Sequence, residues 1–397
     1  MNFNISKYVQ LIKGKEGNLR RKHPWIFSGA LQETHGQPED GDLVKVLDHR
    51  QEVLGFGHFH QGSITVKMLH FGPEDYHSGF WHDRLAEAWR IREGLNLIRE
   101  DNNAFRWIHG EGDGLPGLII DIYDRVVVIQ CHTIGMHRQI QSIKEAILMI
   151  VDSREFSVVD KSRETLPANY AASIQNGIIH GTNSESRALE NGFHFAVDCL
   201  GGQKTGFFLD QRENRNLLAR YAFNKTVLNA YCYSGGFSIY ALGHGAKQVV
   251  SVDVSKKALE LLNQNLLLNQ MESHPHEMIC TDVHQFLDHL PPEQYDVIIL
   301  DPPAFAKSMA KRHTAIQAYK RINTQAMRKI KSGGLLFTFS CSQVVTEDLF
   351  YHTVVSAGID SGRDIRLLRR LGQGPDHPVS LFHPEGSYLK GFVLWVE

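Results

Sequence analysis

Paired cysteines, long hydrophobic runs and a marked excess of charge of either sign are all missing from this sequence. Its five cysteines, Cys131, Cys199, Cys232, Cys280 and Cys341, are scattered over 397 residues without a C-x-x-C pair, which argues against both a disulfide framework and a structural zinc site. The 22 histidines show no H-x-x-x-H spacing at an evident site, so no metal is assigned. A net charge of −2 means that any nucleic-acid surface must be a local patch. No apolar run approaches the length of a membrane span, and the stretch from Met1 to Gln10 lacks the hydrophobic core of a signal peptide. The expectation is a cytoplasmic protein that has no membrane partner.

What is present is organised around Thr226 to Asp253, TVLNAYCYSGGFSIYALGHGAKQVVSVD. A short apolar strand, Thr226 to Ala230, is broken by Ser234-Gly235-Gly236. Helix is predicted from Phe237 to Leu242, then a β-branched run from Gln248 to Val252 that ends on Asp253. Glycines where a strand turns into a helix let a ligand approach the backbone, and a carboxylate ending the next strand can hydrogen-bond a ribose diol. Tyr233-Ser234-Gly235-Gly236-Phe237 does not make G-x-G-x-x-G, so a pyrophosphate is not what this turn is built for. S-adenosylmethionine, with a ribose and no phosphate, fits better; a glycine turn of any α/β protein is the plain alternative.

The length calls for two or three domains. Residues 1–72 read as a small β-rich unit, with Asp42 to Asp48 and Ile64 to Leu69 as strands punctuated by glycines. Its basic run, Lys13, Lys15, Arg20, Arg21 and Lys22 beside His23-Pro24-Trp25, suits contact with a phosphate backbone or is simply a solvated face. Residues 73–185 alternate helix (Phe80 to Glu93, Ile140 to Val151) with strands, among them Val126 to Cys131 and β character from Ala171 to His180. This is an α+β connecting domain, in which Glu111 to Gly117 needs only turn geometry to explain it.

Residues 186–397 hold the chemistry. Gly202 to Asn216, GQKTGFFLDQRENRN, crowds aromatics, a carboxylate and an amide just ahead of the central turn. It can face an adenine and an amino acid, or be a strand entering a charged helix. Ser255 is a good N-cap for a helix to Asn269. Asp282, after the strand Glu277 to Cys280, is placed for an adenine amino group and equally for an N-cap. The strand Tyr295 to Leu300 ends in Asp301-Pro302-Pro303-Ala304-Phe305, where two prolines fix the chain beside a carboxylate. Gly334 to Ser340 is another buried strand, and Cys341 follows it. Adjacent parallel strands in this order would bring Asp301 and Cys341 to one cleft, where a cysteine is better placed as a nucleophile than as a packing residue.

Together, GQKTGFFLDQRENR, the Tyr-Ser-Gly-Gly-Phe turn, SVDVS, LDPPAFAKS and FSCSQ resemble the bacterial S-adenosylmethionine-dependent methyltransferases of large-subunit ribosomal RNA, in the group that makes 5-methylcytosine. RRKHPWIF and DGLPG are similar to that family's upstream signatures, and the match extends over nearly the whole chain. The resemblance implies a β-barrel PUA-like domain, an α+β connecting domain and a Rossmann-like class I methyltransferase domain with a mostly parallel seven-stranded sheet. It implies cofactor contacts from Phe207, Asp210, Gln211, Tyr233, Ser234, Gly235, Asp253, Asp282 and Asp301, with Cys341 as nucleophile assisted by Asp301. Lys307 of LDPPAFAKS joins the basic run as an RNA contact. Asn229 and Ala230 depart from the acidic residue and aromatic common in methyltransferase first strands. The partners expected are large-subunit ribosomal RNA and, as an option for assembly, a second copy of the chain.

Several rivals share these features. Nitrogen methylation of guanine or adenine uses the same fold, but its adenine-N6 form has an aromatic directly after the prolines, where Ala304 stands, and its guanine-N7 form needs no cysteine after the fifth strand. A catalytically idle RNA-binding assembly factor and a small-molecule methyltransferase are the others.

Overall fold

The computed structural model describes residues 5–397, and its contacts divide the chain into two compact units. The first comprises the chain up to Ala188 together with Val197–Leu209 and Pro375–Gly386. Its described residues form two large sheets.

The first sheet has six strands in the order Trp25–Phe27, Ile64–Phe71, Val53–Phe59, Leu43–Leu47, Tyr8–Leu11, Leu31–His35. All neighbours are antiparallel except the parallel pair Tyr8–Leu11 and Leu43–Leu47. Alternation along Leu43–Leu47 places Val44 and Val46 in a core with Val9, Ile26, Val66 and Met68. Gly55 is required within its strand, because a Cβ there would lie 2.1 Å from the His70 carbonyl oxygen.

The second sheet has five strands in the order Gly177–His180, Ser157–Asp160, Val126–Cys131, Leu118–Tyr123, Ala104–His109. Helices Phe80–Gly94 and Ile140–Ile150 bury Trp81, Leu85, Ile143 and Ile147 in the same core as its inner face. Asp113 of the DGLPG turn takes the buried Arg92 guanidinium on both oxygens, at 2.5 and 2.8 Å, and accepts the His109 N–H. That turn is scaffold. The β character expected from Ala171 begins only at Gly177, because Pro167, with φ fixed at −54°, opens a short helical turn over Ala168–Ala171.

The second unit comprises Leu189–Ala196, Asp210–Gly374 and Ser387–Glu397. Helix Arg212–Ala222 leads into strand β1 (Thr226–Ala230), α1 (Gly236–Gly243), β2 (Gln248–Asp253), α2 (Lys256–Leu268), β3 (His276–Cys280), α3 (Val283–His289) and β4 (Tyr295–Leu300). Next come α4 (Arg312–Lys329), β5 (Ile330–Ser340), α5 (Glu347–Ser361), β6 (Ile365–Leu371) and β7 (Lys390–Val396). The sheet order is β3-β2-β1-β4-β5-β7-β6, parallel from β3 to β5, with β7 antiparallel to both its neighbours.

The runs of β1, β2, β4 and the second half of β5 are mostly apolar and buried, as expected where helices cover both faces, whereas the edge strand β3 is largely exposed. Leu228, Val250, Ile298 and Leu336 are all in the core. Starting from β1, the chain builds the sheet outward first one way and then the other, so β1 and β4 are neighbours with their crossovers on opposite faces. That switch point is where a ligand site forms in such sheets. Expected element boundaries hold to within a few residues, with Ser255 and Asp282 both capping helices through their side chains.

Candidate active site

The β1–α1 turn is bent by three successive odd positions in the left-handed region: Tyr231 at φ 60°, Tyr233 at 47° and Gly235 at 78°. A Cβ on Gly235 would lie 2.0 Å from Leu262 Cδ1 of the buried α2 face, so only glycine lets the turn sit down on α2. Asp253, at the end of β2, clamps the turn: its two oxygens accept the backbone N–H groups of Tyr233 (3.0 Å) and Ser255 (2.9 Å). The Asn265 amide on α2 donates to the Ser234 carbonyl at 2.8 Å. Behind Gly236 runs Arg215, paired bidentately with Glu190 at 2.7 Å twice, and the Tyr240 hydroxyl also donates to Glu190. The turn is therefore held from both sides before any ligand arrives.

Asn229 lies beneath it. Its amide donates to Ser238, which shares a hydrogen bond with Ser251, and Ser251 shares one with His276. At 1% exposure the side chain is committed to this interior chain, which places the departure noted at this position inside the sheet.

The second half of the site is at the ends of β4 and β5. Leu300 pairs with Thr338 in parallel register, so Asp301 and Cys341 leave adjacent strand ends. Phe305 of the Asp-Pro-Pro segment lies between Tyr231 (ring centroids 6.5 Å apart) and Tyr319 (4.7 Å), an aromatic wall beside the cleft. Burial, and then the negative charge of Asp282, push the Tyr231 hydroxyl well above the ordinary phenol range. Tyr319 shares a hydrogen bond of 3.0 Å with the Ser342 hydroxyl.

Lys390, the first residue of β7 and register partner of Ser340, is 4% exposed. It donates to the carbonyls of Ser342 (2.8 Å) and Tyr388 (2.6 Å). Burial lowers its ammonium to about 8, against the opposing pull of Cys341 and Glu347. Asp210 accepts the Tyr388 hydroxyl at 2.6 Å, and Gln211 accepts the Asn214 amide at 2.6 Å. Tyr388 and Lys390 thus connect Asp210 to Ser342, the residue after Cys341.

Comparison with known proteins gives this arrangement a family. An S-adenosylmethionine-dependent methyltransferase model matches residues 106–380, and a PUA-like domain model matches residues 9–71. Over the whole chain the sequence is 39% identical to ribosomal RNA large subunit methyltransferase I of Alteromonas mediterranea, covering 99% of each protein. It is 36% identical to the Escherichia coli protein of that name, with 99% of this chain and 100% of that one covered.

The chain belongs to the ribosomal RNA large subunit methyltransferase I family.

Its cofactor is S-adenosylmethionine. The fold of this methyltransferase recurs in a Streptococcus mutans structure described as an S-adenosylmethionine-dependent methyltransferase, with a TM-score of 0.82, 21% identity, and 98% and 100% of the two chains covered. It recurs also in a methyltransferase complexed with S-adenosylhomocysteine, with a TM-score of 0.83, 22% identity and the same coverage.

The residues present suit the cofactor. The Gly235 cradle has no side chain to fill it, and Asp253 keeps lone pairs on both oxygens beyond the two backbone bonds. Of the expected contacts, Asp210, Gln211, Tyr233, Ser234, Gly235, Asp253, Asp282, Asp301 and Cys341 all fall in the second unit, whereas Phe207 belongs to the first. There, Phe207 exchanges backbone hydrogen bonds with the Tyr123 hydroxyl. Lys13, Lys15, Arg20, Arg21 and Lys22 are all exposed, the last three in and just after the short helix Gly17–Arg20. Lys307 is exposed too, and Lys311 and Arg312, which follow it at the start of α4, are also exposed.

Sequence reasoning missed Asn265, Tyr319, Tyr388 and Lys390 because each acts through a partner distant along the chain. The expectation of no metal rested on linear spacing. In space, one ligand atom each from His23, His383 and Glu385, in the first unit, lie within 4.8 Å of one another. The two His–carboxylate separations are each 3.8 Å, and Glu385 is exposed.

Among the described residues no helix is long and apolar enough to cross a membrane.

Proposed function

We propose that this methyltransferase acts on large-subunit ribosomal RNA and forms 5-methylcytosine through a covalent Cys341 adduct. The observation that supports the reading is the parallel register of β4 and β5, from whose neighbouring ends Asp301 and Cys341 follow, on the same sheet as the turn that Asp253 and Gly235 shape. Nitrogen methylation has no use for a cysteine there.

Carbon 5 of cytosine is a poor nucleophile on its own. Cys341 adds as thiolate to carbon 6, and Asp301 bonds the cytosine amino edge and assists protonation at nitrogen 3, which makes carbon 5 enamine-like. Bound S-adenosylmethionine supplies the electrophilic methyl group that carbon 5 takes. Loss of the carbon 5 proton to a base then lets the Cys341 sulfur leave and restores the ring. The base must be turned out of its stack to reach the cleft, at a cost of a few kcal/mol. The aromatic wall of Tyr231 and Phe305 is suited to offset it. The basic run of the barrel, and Lys307 beside the cleft, would hold the phosphate backbone, with residues 1–72 and 73–185 as the RNA-presenting domains. Homology to the Alteromonas mediterranea and Escherichia coli proteins supports ribosomal RNA as the substrate.

The test is methyl transfer from labelled cofactor to unmodified ribosomal RNA, followed by nucleoside analysis. Label in 5-methylcytidine is expected; label in methylated guanosine or adenosine would overturn the carbon reading.

A further inference from the structure

We propose that Lys390 activates Cys341: its ammonium group, hydrogen-bonded to the carbonyl of Ser342 next to the cysteine and to that of Tyr388, holds the Cys341 sulfur as a thiolate ready for attack. This rests on the reading of Cys341 as the nucleophile and adds a residue that no motif named.

The argument is geometric. Lys390 starts β7 opposite Ser340, the last residue of β5, and its Nζ reaches past the loop to the carbonyl of Ser342. Cys341 therefore lies between the lysine's strand partner and its hydrogen-bond acceptor. A second N–H is spent on the Tyr388 carbonyl, and an ammonium has three donors. A lysine that is 4% exposed is costly to bury charged unless an anion compensates. The charges it feels most are those of Cys341 and, from the start of α5, Glu347. Glu347 is exposed and pairs with Arg370, so its charge is shared and screened.

The remaining titratable neighbours do not supply the anion. From α4, Tyr319 faces Ser342 with a phenol that burial pushes upward, and so stays neutral. Asp210 accepts the Tyr388 hydroxyl, and its charge acts on Arg215, while the charges that act on Lys390 are those of Cys341 and Glu347. Asp301, which follows β4 as Cys341 follows β5, is a carboxylate that would oppose a thiolate there. The Cys341 thiolate is the counter-charge that the lysine lacks. The thiol proton goes to solvent, and the positive charge beside sulfur repays its loss. Above about pH 8, where Lys390 gives up its own proton, the pair titrates as a unit.

Lys390 is a positioning residue in this account, so its test reads the thiol directly. Cys131, Cys199 and Cys232 are buried, with thiols pushed far up by desolvation, whereas Cys280 is exposed. In a Cys280→Ser background, iodoacetamide labelling of the full-length protein therefore reports Cys341, verified by peptide mass spectrometry. The parent should label with a midpoint well below the ordinary thiol value of about 8.5. Lys390→Met should label several-fold more slowly at pH 7, approaching tenfold for a one-unit rise from a midpoint above about 7, and Lys390→Arg should keep most of the parent rate. A parent midpoint at or above about 8.5 overturns the proposal, even if the methionine variant fails to fold. So does a folded Lys390→Met protein with an unchanged profile. Product analysis on RNA separates the two readings: a low midpoint without 5-methylcytidine sinks the cytosine assignment and leaves the lysine–thiolate pair standing.

Discussion

Asp253 Oδ2 accepts the backbone N–H of Tyr233 at 3.0 Å, which makes one carboxylate both a clamp on the β1–α1 turn and a candidate for the cofactor ribose. Asp253→Ala should therefore weaken S-adenosylmethionine binding by about 1.5 to 3 kcal/mol, the loss expected for charge-assisted hydrogen bonds. It should also lower thermal stability, since the Tyr233 and Ser255 N–H groups lose their acceptor. Calorimetry and a melting curve on the same sample separate the two effects. Unchanged affinity in a folded variant would remove Asp253 from the site.

Cys341 and Cys232 form an internal comparison. Cys232 is buried in the turn, where desolvation and then Asp253 push its thiol far up, so Cys232→Ser should retain substantial activity. Cys341→Ser should abolish turnover and leave cofactor binding nearly intact, because a serine hydroxyl is a much weaker nucleophile. RNA carrying 5-fluorocytosine at the target, which lacks the carbon 5 proton needed for elimination, should trap a covalent complex with the parent protein. An active serine variant, or no adduct at Cys341, would move the assignment to nitrogen methylation.

Replacing Arg20, Arg21 and Lys22 together by alanine should weaken RNA binding and flatten the log–log dependence of affinity on salt, by about 0.7 to 0.9 in slope for each phosphate that the protein no longer neutralises. All three side chains are exposed, so cofactor affinity and folding should not change. The same salt slope in the triple variant would mean that the run is only a solvated face.

Buried histidines set an acid limit. Burial lowers His58 to about 3 and His276 to about 4. Between about 6.5 and 4 the unfolded chain takes up protons at these positions and the folded chain does not, so stability falls as pH drops through that window. The slope approaches about 1.4 kcal/mol per pH unit for each histidine. Urea unfolding at pH 7 and pH 5 measures it. His276→Gln, which can keep the bond to Ser251, should make the second unit's loss smaller; a slope unaltered by that change would count His276 out.

Much of this was written in local sequence. The alternation in Leu43–Leu47, the apolar runs of β1, β2 and β4, the Ser255 and Asp282 caps and the glycine turn each depend on residues within a few positions of one another, and short-range sterics and hydrogen bonding decide them. The places of Asp253, Asp301 and Cys341 at or just after strand ends were legible, because a strand end shows in the sequence where an apolar run stops. Ala171 to Asn176 was misread because one proline opened a helical turn ahead of the strand.

What the sequence could not contain is which distant residues meet. The pairing of Arg215 with Glu190, the hold of Asn265 on Ser234, and the placing of Phe207 in a different unit from Asp210 follow from the order in which strands assemble and from where the chain crosses between its two units. Lys390 shows the difference most directly. As a residue at the start of an apolar strand it reads as a surface lysine, and only the antiparallel return of β7 alongside β5 buries it against the cysteine loop. Burial then makes its charge costly and so ties it to an anion.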